Sequence, residues 1–294
     1  MPSLNRKAIQ SLIHVALRED QARRDTTSHT VLPPSLRIRA RVIAKSPGIL
    51  AGGPLAVWTF QTLDRSLRCT RHIRDGASLK RGQAILTIEG RARSIFAAER
   101  TALNVLGHLS GIATLTHQYV QRVRGTHAVI LDTRKTLPGL RQLEKYAVRI
   151  GGGQNHRGSL ADAILIKTNH LNALRRGTSG KGQATRKGFI ETAIHTAKKS
   201  GRSVEIEVTN FQEFLAALNV YPNSILLDNW SIPNIRRAVR HLSLVACHLP
   251  PALEVSGGVT LANVRAIAKT GINRISIGRL THSAPSLDLS LRVL

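Results

Sequence analysis

The sequence is poor in aromatic residues, cysteine and acidic residues. Aromatics make up 3% of the 294 residues, which argues against the stacking platforms that bind single-stranded nucleic acids. The two cysteines, Cys69 and Cys247, lie far apart and form no CxxC pair, so neither a zinc site nor a disulfide framework is expected. The sequence also lacks a run of about 18 apolar residues, and its first apolar residues are spaced as in an amphipathic helix rather than a signal peptide. We therefore expect a soluble, cytoplasmic protein.

The scarcity of acids leaves a strongly basic chain. There are 43 Lys and Arg residues against 17 Asp and Glu, which gives a formal net charge of +26. Such an excess is compatible with a nucleic-acid partner or with anionic substrates. Because the basic residues are scattered along the chain, an arginine-rich exposed surface is the favoured interpretation. An apolar content of 42% is sufficient for a well-packed core.

The first 123 residues predict an α+β region. Residues 5–18 have the spacing of an amphipathic helix. Alternating segments predict strands at 37–44, 66–73 and 83–90, with turn-rich connections, and therefore an antiparallel sheet. Residues 94–123 predict one long amphipathic helix, with a possible break at Ser110–Gly111.

From residue 128 onward, apolar strand-like runs alternate with helical segments. The predicted strands are 128–132, 163–167, 204–208, 224–228, 252–256 and 274–278. The predicted helices are 139–149, 189–199, 211–218, 232–242 and 260–270. This alternation predicts parallel strands in an α/β barrel or a doubly wound sheet. The Gly-rich basic segment 177–188 predicts a flexible loop.

Cations are concentrated between the first two of these strands. Polar residues at the ends of barrel strands commonly build the active site, so this segment predicts a site for an anion with several charges. The cations are Arg134, Lys135, Arg141, Lys145, Arg149, His156, Arg157 and Lys167.

The few acidic residues are placed where strands end. Asp132, Glu207 and Asp228 lie at or near predicted strand ends, and Glu205 should share a face with Glu207. We expect Lys135, Glu207 and Asp228 to converge, because carboxylates can hold sugar hydroxyls or a phosphate-bound metal ion. A nearby lysine can stabilise charge on a leaving group. The alternative is that these are solvated surface charges.

Two loops late in the series have the composition of phosphate sites. Ser256-Gly257-Gly258 follows a predicted strand and precedes a predicted helix, where backbone N–H groups can approach a phosphate. Gly278 to His282 follow the last predicted strand. Phosphate sites in barrels often use the last two strand loops.

The chain closely resembles the quinolinate phosphoribosyltransferase family, also called carboxylating nicotinate-nucleotide pyrophosphorylases. The matching motifs are AERTALNVLGHLSGIATLT (98–116), DTRKTLPGLRQLEKYAVRIGGGQNHR (132–157), ILLDN (225–229), EVSGG (254–258) and ISIGRLTHSAPSLDLSL (275–291). The resemblance implies a type II phosphoribosyltransferase of de novo NAD biosynthesis. Such an enzyme joins quinolinate to phosphoribosyl pyrophosphate, with Mg²⁺, and yields nicotinate mononucleotide, pyrophosphate and CO₂.

The resemblance also implies an architecture. It is an incomplete α/β barrel at residues 123–294 with an N-terminal α+β sandwich domain at 1–122, which the C-terminal tail can complete. A homodimer or higher homo-oligomer with shared active sites is expected, without an organic cofactor and without a membrane or nucleic-acid partner.

Residue roles follow from the matching motifs. The implied catalytic residues are Lys135, Glu207 and Asp228, with the two acids also implied near the metal, directly or through the substrate. Arg100 is expected to reach the neighbouring subunit's site. The implied substrate contacts are Arg100, Thr133, Arg134, His156, Arg157, Lys167, Ser256, Gly257, Gly258, Gly278, Arg279, Leu280, Thr281 and His282.

Several positions depart from the family pattern, and most of these changes make the chain more positive. The departures are Arg24 before Asp25, Ser159, Thr168 in place of an acid, Thr209 and Arg279. They keep a second hypothesis open, a paralogue acting on another anionic acceptor. A third hypothesis is a basic nucleic-acid-binding protein that retains the fold.

Overall fold

We describe the protein from a computed structural model, in which residues 5–177, 185–244 and 250–294 are described. Cys247 and most of the basic segment at 177–188 lie outside them. The helices are α1 Arg6–Glu19, α2 Thr26–Val31, α3 Gly53–Leu63, α4 Ala92–Val123, α5 Arg141–Ile150, α6 Thr168–Gly177, α7 Arg186–Lys198, α8 Phe211–Leu218, α9 Ile232–Leu244, α10 Val264–Ala268 and α11 Arg279–His282, with a 3₁₀ turn at Ala22–Arg24. The strands are β1 Arg37–Ala44, β2 Gly48–Ile49, β3 Arg68–Arg71, β4 Ser78–Leu79, β5 Ala84–Arg91, β6 Val129–Leu131, β7 Ile164–Ile166, β8 Val204–Val208, β9 Ser224–Asp228, β10 Ala252–Ser256, β11 Arg274–Ser276 and β12 Leu289–Val293.

The chain forms two compact units that are not continuous in sequence. Unit 1 comprises Met1–His117, Lys135–Gly153 and Arg279–Leu294, and unit 2 comprises Gln118–Arg134 and Gln154–Gly278. The domain boundary at residues 122/123 stays a prediction. In the part of the chain that is described, no helix is both long and apolar enough to cross a membrane.

Unit 1 is built on an antiparallel sheet with the strand order β12-β1-β5-β3. Alternation along β1 buries Ala40, Val42 and Ala44 completely, while Arg39 and Arg41 point to the other face. The buried face packs in one core with Phe60 of α3 and Ile95 of α4. Apolar alternation in the sequence thus determines which face of this sheet meets the core.

The long helix α4 is continuous, so the predicted break at Ser110–Gly111 is wrong. Both residues serve packing instead. The Ser110 hydroxyl is fully buried and donates to the Ala51 carbonyl at 3.2 Å. A Cβ at Gly111 would lie 2.1 Å from the Pro285 carbonyl oxygen, so glycine permits a close approach here without ending the helix.

Unit 2 is built on a six-stranded sheet with the order β6-β11-β10-β9-β8-β7, in which all neighbouring strands are parallel. The strands β6 and β7 form its two edges. This is the predicted alternating α/β architecture, and it confirms the incomplete barrel as the fold class.

The register of the parallel sheet separates two kinds of side chain. Paired residues on neighbouring parallel strands point to the same face. The aliphatic face carries residues such as Ile206, Leu227 and Val255, all with 0–1% exposure. The opposite face, here called the polar face, carries Glu205, Glu207, Ser224, Leu226, Asp228, Glu254, Ser256, Arg274 and Ser276.

Candidate active site

Two carboxylates mark the carboxyl-terminal edge of the polar face. Glu207 pairs with Leu226, so Asp228 lies two residues further along the neighbouring strand and on the same face, about 6 to 7 Å away along the strand direction. Both side chains are half-buried. The expectation that the two acids share one sheet edge is met by this register.

Thr168 holds Glu207 in place. The Thr168 amide and hydroxyl both donate to Glu207 Oε1, at 3.1 and 2.9 Å. Thr168 is the first residue of α6, a helix that sequence reasoning did not predict. The threonine that departs from the family pattern therefore keeps a hydrogen-bonding role toward a predicted catalytic carboxylate.

The loop after β9 meets the glycine loop after β10. The Asn229 amide donates to the Ser256 carbonyl at 2.8 Å, and its side-chain Nδ2 donates to Asp228 Oδ2 at 3.1 Å. A Cβ at Gly257, where φ is +87°, would lie 2.1 Å from Asn229 Oδ1, so only glycine fits. The glycines are exposed, as a phosphate-binding loop requires. The loop lies between β10 and helix α10, as predicted, although α10 begins at Val264 rather than at the predicted residue 260.

The segment that carries His156 and Arg157 is pinned to the end of β6. Gln154 forms a bridge with Leu131, and the His156 amide donates to Asp132 Oδ1 at 2.9 Å. Asp132 is fully buried, which explains an acid at the strand end as a backbone anchor. Arg157 Nη1 donates to the Ala163 carbonyl at 2.9 Å. The end of β6 thus fixes the backbone of this segment, and the Ala163 carbonyl fixes the Arg157 guanidinium.

Burial and a like charge act on Arg157. Desolvation lowers the pKa of its guanidinium from the ordinary value, and the neighbouring charge of Arg134 acts in the same direction. The charges of Glu205 and Asp162 oppose the shift. Two guanidiniums held near each other form a site suited to an anion with more than one carboxylate.

A buried His–Glu–Glu cluster lies on the polar face behind Arg157. His156 Nε2 lies 2.9 Å from Glu205 Oε2 and 3.5 Å from Glu254 Oε1. The two glutamates are 6% and 1% exposed. Burial, with the charge of Glu205 as a second cause, raises the pKa of the Glu254 carboxyl to about 7. Sequence reasoning placed Glu205 on the face of Glu207, and the structure gives these two acids different partners.

These groups border a small cavity within unit 2. Its volume is about 210 Å³, and His156, Arg157, Glu205, Ser224 and Arg274 are among its lining residues. Lys167 lies exposed at the end of β7, where its amide donates to His170 Nδ1 at 2.9 Å. The cavity is lined by the first residues of β7, β9 and β11, which are Ile164, Ser224 and Arg274, whereas Lys167 follows the last residue of β7.

Lys135 and residues 279–282 belong to unit 1, whereas Thr133 and Gly278 belong to unit 2. Thr281 Oγ1 donates to the Lys135 carbonyl at 2.7 Å, so this part of the predicted phosphate loop lies directly against Lys135. Leu280 and Thr281 are buried, whereas Lys135, Arg279 and His282 are exposed. The convergence of Lys135 with the carboxylates of unit 2 stays a prediction.

Arg100 projects from α4 with 66% of its side chain exposed. It borders a surface hollow of about 220 Å³, which Glu19 and Asp20 also line. Its nearest acid is Glu99, at 4.0 Å. An exposed arginine on a helix of unit 1 is compatible with a contact to another molecule.

Two other departures from the family pattern have local hydrogen-bonding roles. The Ser159 hydroxyl donates to Asp162 Oδ1 at 2.5 Å, and the Ser159 amide donates to Oδ2 at 3.1 Å. The Thr209 amide donates to Glu213 Oε2 at 2.9 Å. Both residues stabilise turns, so neither substitution disrupts the segment around it.

Sequence reasoning missed three functional candidates: Glu254, Asn229 and the role of Thr168. Glu254 could have been found, because a charged residue in the middle of the aliphatic run ALEVS is costly to bury without a partner. Asn229 adopts a positive φ of 58°, and the sequence gives no signal of its contact with Gly257.

The chain matches both domains of one protein family. The family described as quinolinate phosphoribosyl transferase, C-terminal domain, matches residues 112–292, and the corresponding N-terminal domain matches residues 25–110.

Curated relatives and solved structures agree with these matches. The "nicotinate-nucleotide pyrophosphorylase [carboxylating]" of Mycobacterium leprae is 38% identical over 97% of this chain and 96% of its own length. The probable enzyme of the same name from Bacillus subtilis is 36% identical over 99% and 95%. The solved structure of the nicotinate-nucleotide pyrophosphorylase from Francisella tularensis superimposes with a TM-score of 0.87, at 36% identity, over 99% of this chain and 98% of that one.

Proposed function

Because the chain belongs to the quinolinate phosphoribosyl transferase family, we propose that it transfers the phosphoribosyl group of phosphoribosyl pyrophosphate to quinolinate. The products are nicotinate mononucleotide, pyrophosphate and CO₂, and the reaction is a step of de novo NAD biosynthesis. The observation that carries the proposal is the family match over nearly the full length, combined with guanidiniums and carboxylates along the polar face of unit 2.

Quinolinate is a pyridine dicarboxylate, and its charges are matched by cations. Arg134 and Arg157 lie within electrostatic reach of each other, and Lys167 is the residue immediately after strand β7. Guanidiniums bind carboxylates through paired hydrogen bonds. These three side chains, with Thr133 beside Arg134 and Arg100 from a second subunit, are proposed to hold the acceptor.

The transfer step needs negative charge near the sugar and positive charge near the leaving group. The quinolinate nitrogen forms a bond to the anomeric carbon while the bond to pyrophosphate breaks, and the bonding electrons leave with pyrophosphate. Glu207 and Asp228 are proposed to stabilise the positive charge that develops on the ribose. Lys135 is proposed to stabilise the departing pyrophosphate.

Loss of CO₂ follows from the charge on the new nucleotide. The pyridinium ring accepts the electron pair of the carbon–carboxylate bond, and the ring carbon then takes up a proton. The protein's contribution is orientation of two polyanions, which can supply several kcal/mol of the barrier. The proposed phosphate contacts are Ser256, Gly257, Gly258, Gly278, Arg279, Leu280, Thr281 and His282, the buried Leu280 and Thr281 through their backbone groups.

Magnesium fits the oxygen donors at the strand ends. Glu207 and Asp228 are half-buried carboxylates on one face, and carboxylate oxygens are preferred Mg²⁺ ligands. Both residues are proposed to hold Mg²⁺, directly or through the substrate. When bound, the ion would neutralise charge on the pyrophosphate.

A homodimer or higher oligomer is proposed because Arg100 is exposed and lies on α4 of unit 1. In this proposal, Arg100 of one subunit completes the acceptor site of its partner. The shared site makes activity depend on association.

An assay with alternative acceptors tests the proposed function. The purified protein should form nicotinate mononucleotide from quinolinate, phosphoribosyl pyrophosphate and Mg²⁺, and product should be absent when nicotinate replaces quinolinate. Formation from nicotinate but not from quinolinate would support a paralogue with another acceptor. Absence of product from both acceptors would refute the proposal.

A further inference from the structure

The two ring nitrogens of His156 are both engaged inside the protein. The Arg157 amide donates to Nδ1 at 2.9 Å, so Nδ1 must carry a lone pair rather than a proton. Nε2, which lies 2.9 Å from Glu205 Oε2, therefore carries the proton and donates it to that carboxylate. The ring is thus held as the neutral Nε2–H tautomer.

The acids around His156 are almost entirely shielded from solvent, since Glu205 is 6% and Glu254 1% exposed. Glu205 Oε1 and Glu254 Oε2 are buried and accept no hydrogen bond from any described residue. Burying a charged residue costs desolvation free energy, and replacing buried charged residues by apolar ones often stabilises a protein. Their presence therefore needs a reason other than stability.

The geometry around Arg157 supplies that reason. His156 contacts the Arg157 backbone on one side and the two carboxylates on the other. The Glu205 charge also opposes the electrostatic effect of Arg134 on Arg157. The two acids thus stand behind the guanidinium that is proposed to bind the acceptor.

We infer that Glu205 and Glu254 are positioning residues for the acceptor, which act through His156 to fix Arg157. The inference rests on the proposed function for the identity of the acceptor, a pyridine dicarboxylate. It also changes the predicted role of His156, from a direct substrate contact to the link between the acids and Arg157.

A divalent metal ion is the other chemistry these groups allow, since their ligand atoms lie within 4.8 Å of one another. The charges around the cluster favour a proton on His156 Nε2 over a metal ion. Arg157 acts on Glu205 and Arg274 acts on Glu254, so each carboxylate already has a cationic neighbour in addition to its contact with the neutral His156 ring. A metal would also have to displace the proton from Nε2.

Two matched substitutions of Glu205 distinguish a role in positioning the acceptor from a purely structural role. Glu205→Met keeps the length of the side chain but cannot accept a hydrogen bond, whereas Glu205→Gln can still accept one. We expect Glu205→Met to raise the KM for quinolinate about tenfold and to change the KM for phosphoribosyl pyrophosphate less than about twofold. Glu205→Gln should stay within about threefold of the wild type for both substrates. Glu254→Met should act in the same direction with a smaller effect, because its distance to Nε2 is longer.

Glu213→Met is the control for loss of a buried acid. Glu213 is 4% exposed and bonds to Thr209 and Arg186, away from the cluster. The Glu213→Met variant should have a lower melting temperature and an unchanged KM for quinolinate. Equal changes in both KM values for Glu205→Met, or a Gln variant as poor as the Met variant, would overturn the positioning role.

Nitrogen-15 NMR of the histidine rings tests the cluster without using activity. The wild type should show His156 protonated at Nε2 alone, both free and with saturating quinolinate, and Glu205→Met should perturb this signal. Protonation of Nδ1 in the quinolinate complex, or stoichiometric Zn²⁺ binding that shifts the Nε2 signal, would overturn the inference. If the wild type forms no nicotinate mononucleotide, the proposed function fails, while the NMR result still decides the state of the cluster.

Discussion

The two sheets of this protein contain pairs of polar side chains at the same distance in opposite environments. In the antiparallel sheet of unit 1, Arg39 and Glu89 approach to 2.9 Å with side chains 57% and 38% exposed. On the parallel sheet of unit 2, His156 and Glu205 approach to the same distance with side chains 16% and 8% exposed. An exposed pair contributes little because water already solvates both partners, whereas a buried pair carries a large desolvation cost. The exposure of the side chains, and not the distance between them, therefore distinguishes the solvated pair of one sheet from the buried cluster of the other.

This contrast also bears on the net charge of +26. The arginines of β1 alternate with buried aliphatic residues and lie on the far face of their sheet from the core. The cations and acids of the polar face lie among buried strands instead. Charge near a substrate and charge on a surface should respond differently to substitution.

The largest effect should come from the strand-end acids of unit 2. Glu207→Gln should lower kcat by about a hundredfold or more, because it removes a charge that stabilises the ribose in the transition state. Thr168 donors can still bond to the amide oxygen, so the fold should persist. Steady-state assays measure the effect. Glu89→Gln, on the other sheet, is the matched control and should leave kcat within about twofold; comparable losses in both variants would erase the contrast.

Mixing the subunits of two variants tests whether Arg100, the exposed arginine on helix α4, contributes to the active site of the partner subunit. Arg100→Ala and Lys135→Ala proteins should each be nearly inactive. Mixed at equal amounts under conditions that allow exchange, they should recover about one quarter of wild-type activity, because half of the dimers are mixed and each contains one intact site. If mass spectrometry shows subunit exchange and activity does not return, Arg100 does not act across the interface.

A smaller, pH-dependent effect is expected at Glu254. In the folded protein the pKa of Glu254 is about 7, above the usual 4.5. Proton binding at Glu254 therefore contributes fully to the stability of the folded state below pH 4.5, and this contribution is lost as the pH rises through 7. Relative to Glu254→Gln, the wild type should therefore lose up to about 3 kcal/mol of unfolding free energy across this range. Urea unfolding at several pH values measures the difference. A difference that does not vary with pH would show that Glu254 ionises as freely as an exposed acid.

The smallest effect should be at the exposed pair. A double-mutant cycle on Arg39 and Glu89 should give a coupling energy below about 1 kcal/mol, which falls further as salt is added. Urea unfolding of the four proteins provides the cycle. A coupling of several kcal/mol that persists in high salt would place this pair in the same class as the buried cluster.

Local sequence patterns predicted much of the fold. Strands β8, β9 and β10 begin and end where the sequence predicted, because runs of aliphatic residues bounded by polar ones leave little choice of structure. The reason for a glycine inside the continuous helix α4 was not predictable, since Gly111 allows the close approach of the Pro285 carbonyl, which is far away in sequence. Tertiary contacts decided where local signals were ambiguous.

The candidate site was predicted in part, for a similar reason. Glu207 and Asp228 were identifiable because acids are rare and these two end their strands. The link from Glu254 to His156 joins strand β10 to a loop that is far away in sequence, so only the folded structure reveals it. The hydrogen bonds from Thr168 to Glu207 likewise depend on the register of β7 with β8.

The most direct test of the central claim is the release of CO₂ from quinolinate labelled in the carboxylate next to the ring nitrogen. The account predicts one CO₂ for each nicotinate mononucleotide when phosphoribosyl pyrophosphate is present, and none when it is omitted, because the pyridinium must form first. CO₂ release without phosphoribosyl pyrophosphate, or no release when both substrates are present, would contradict it.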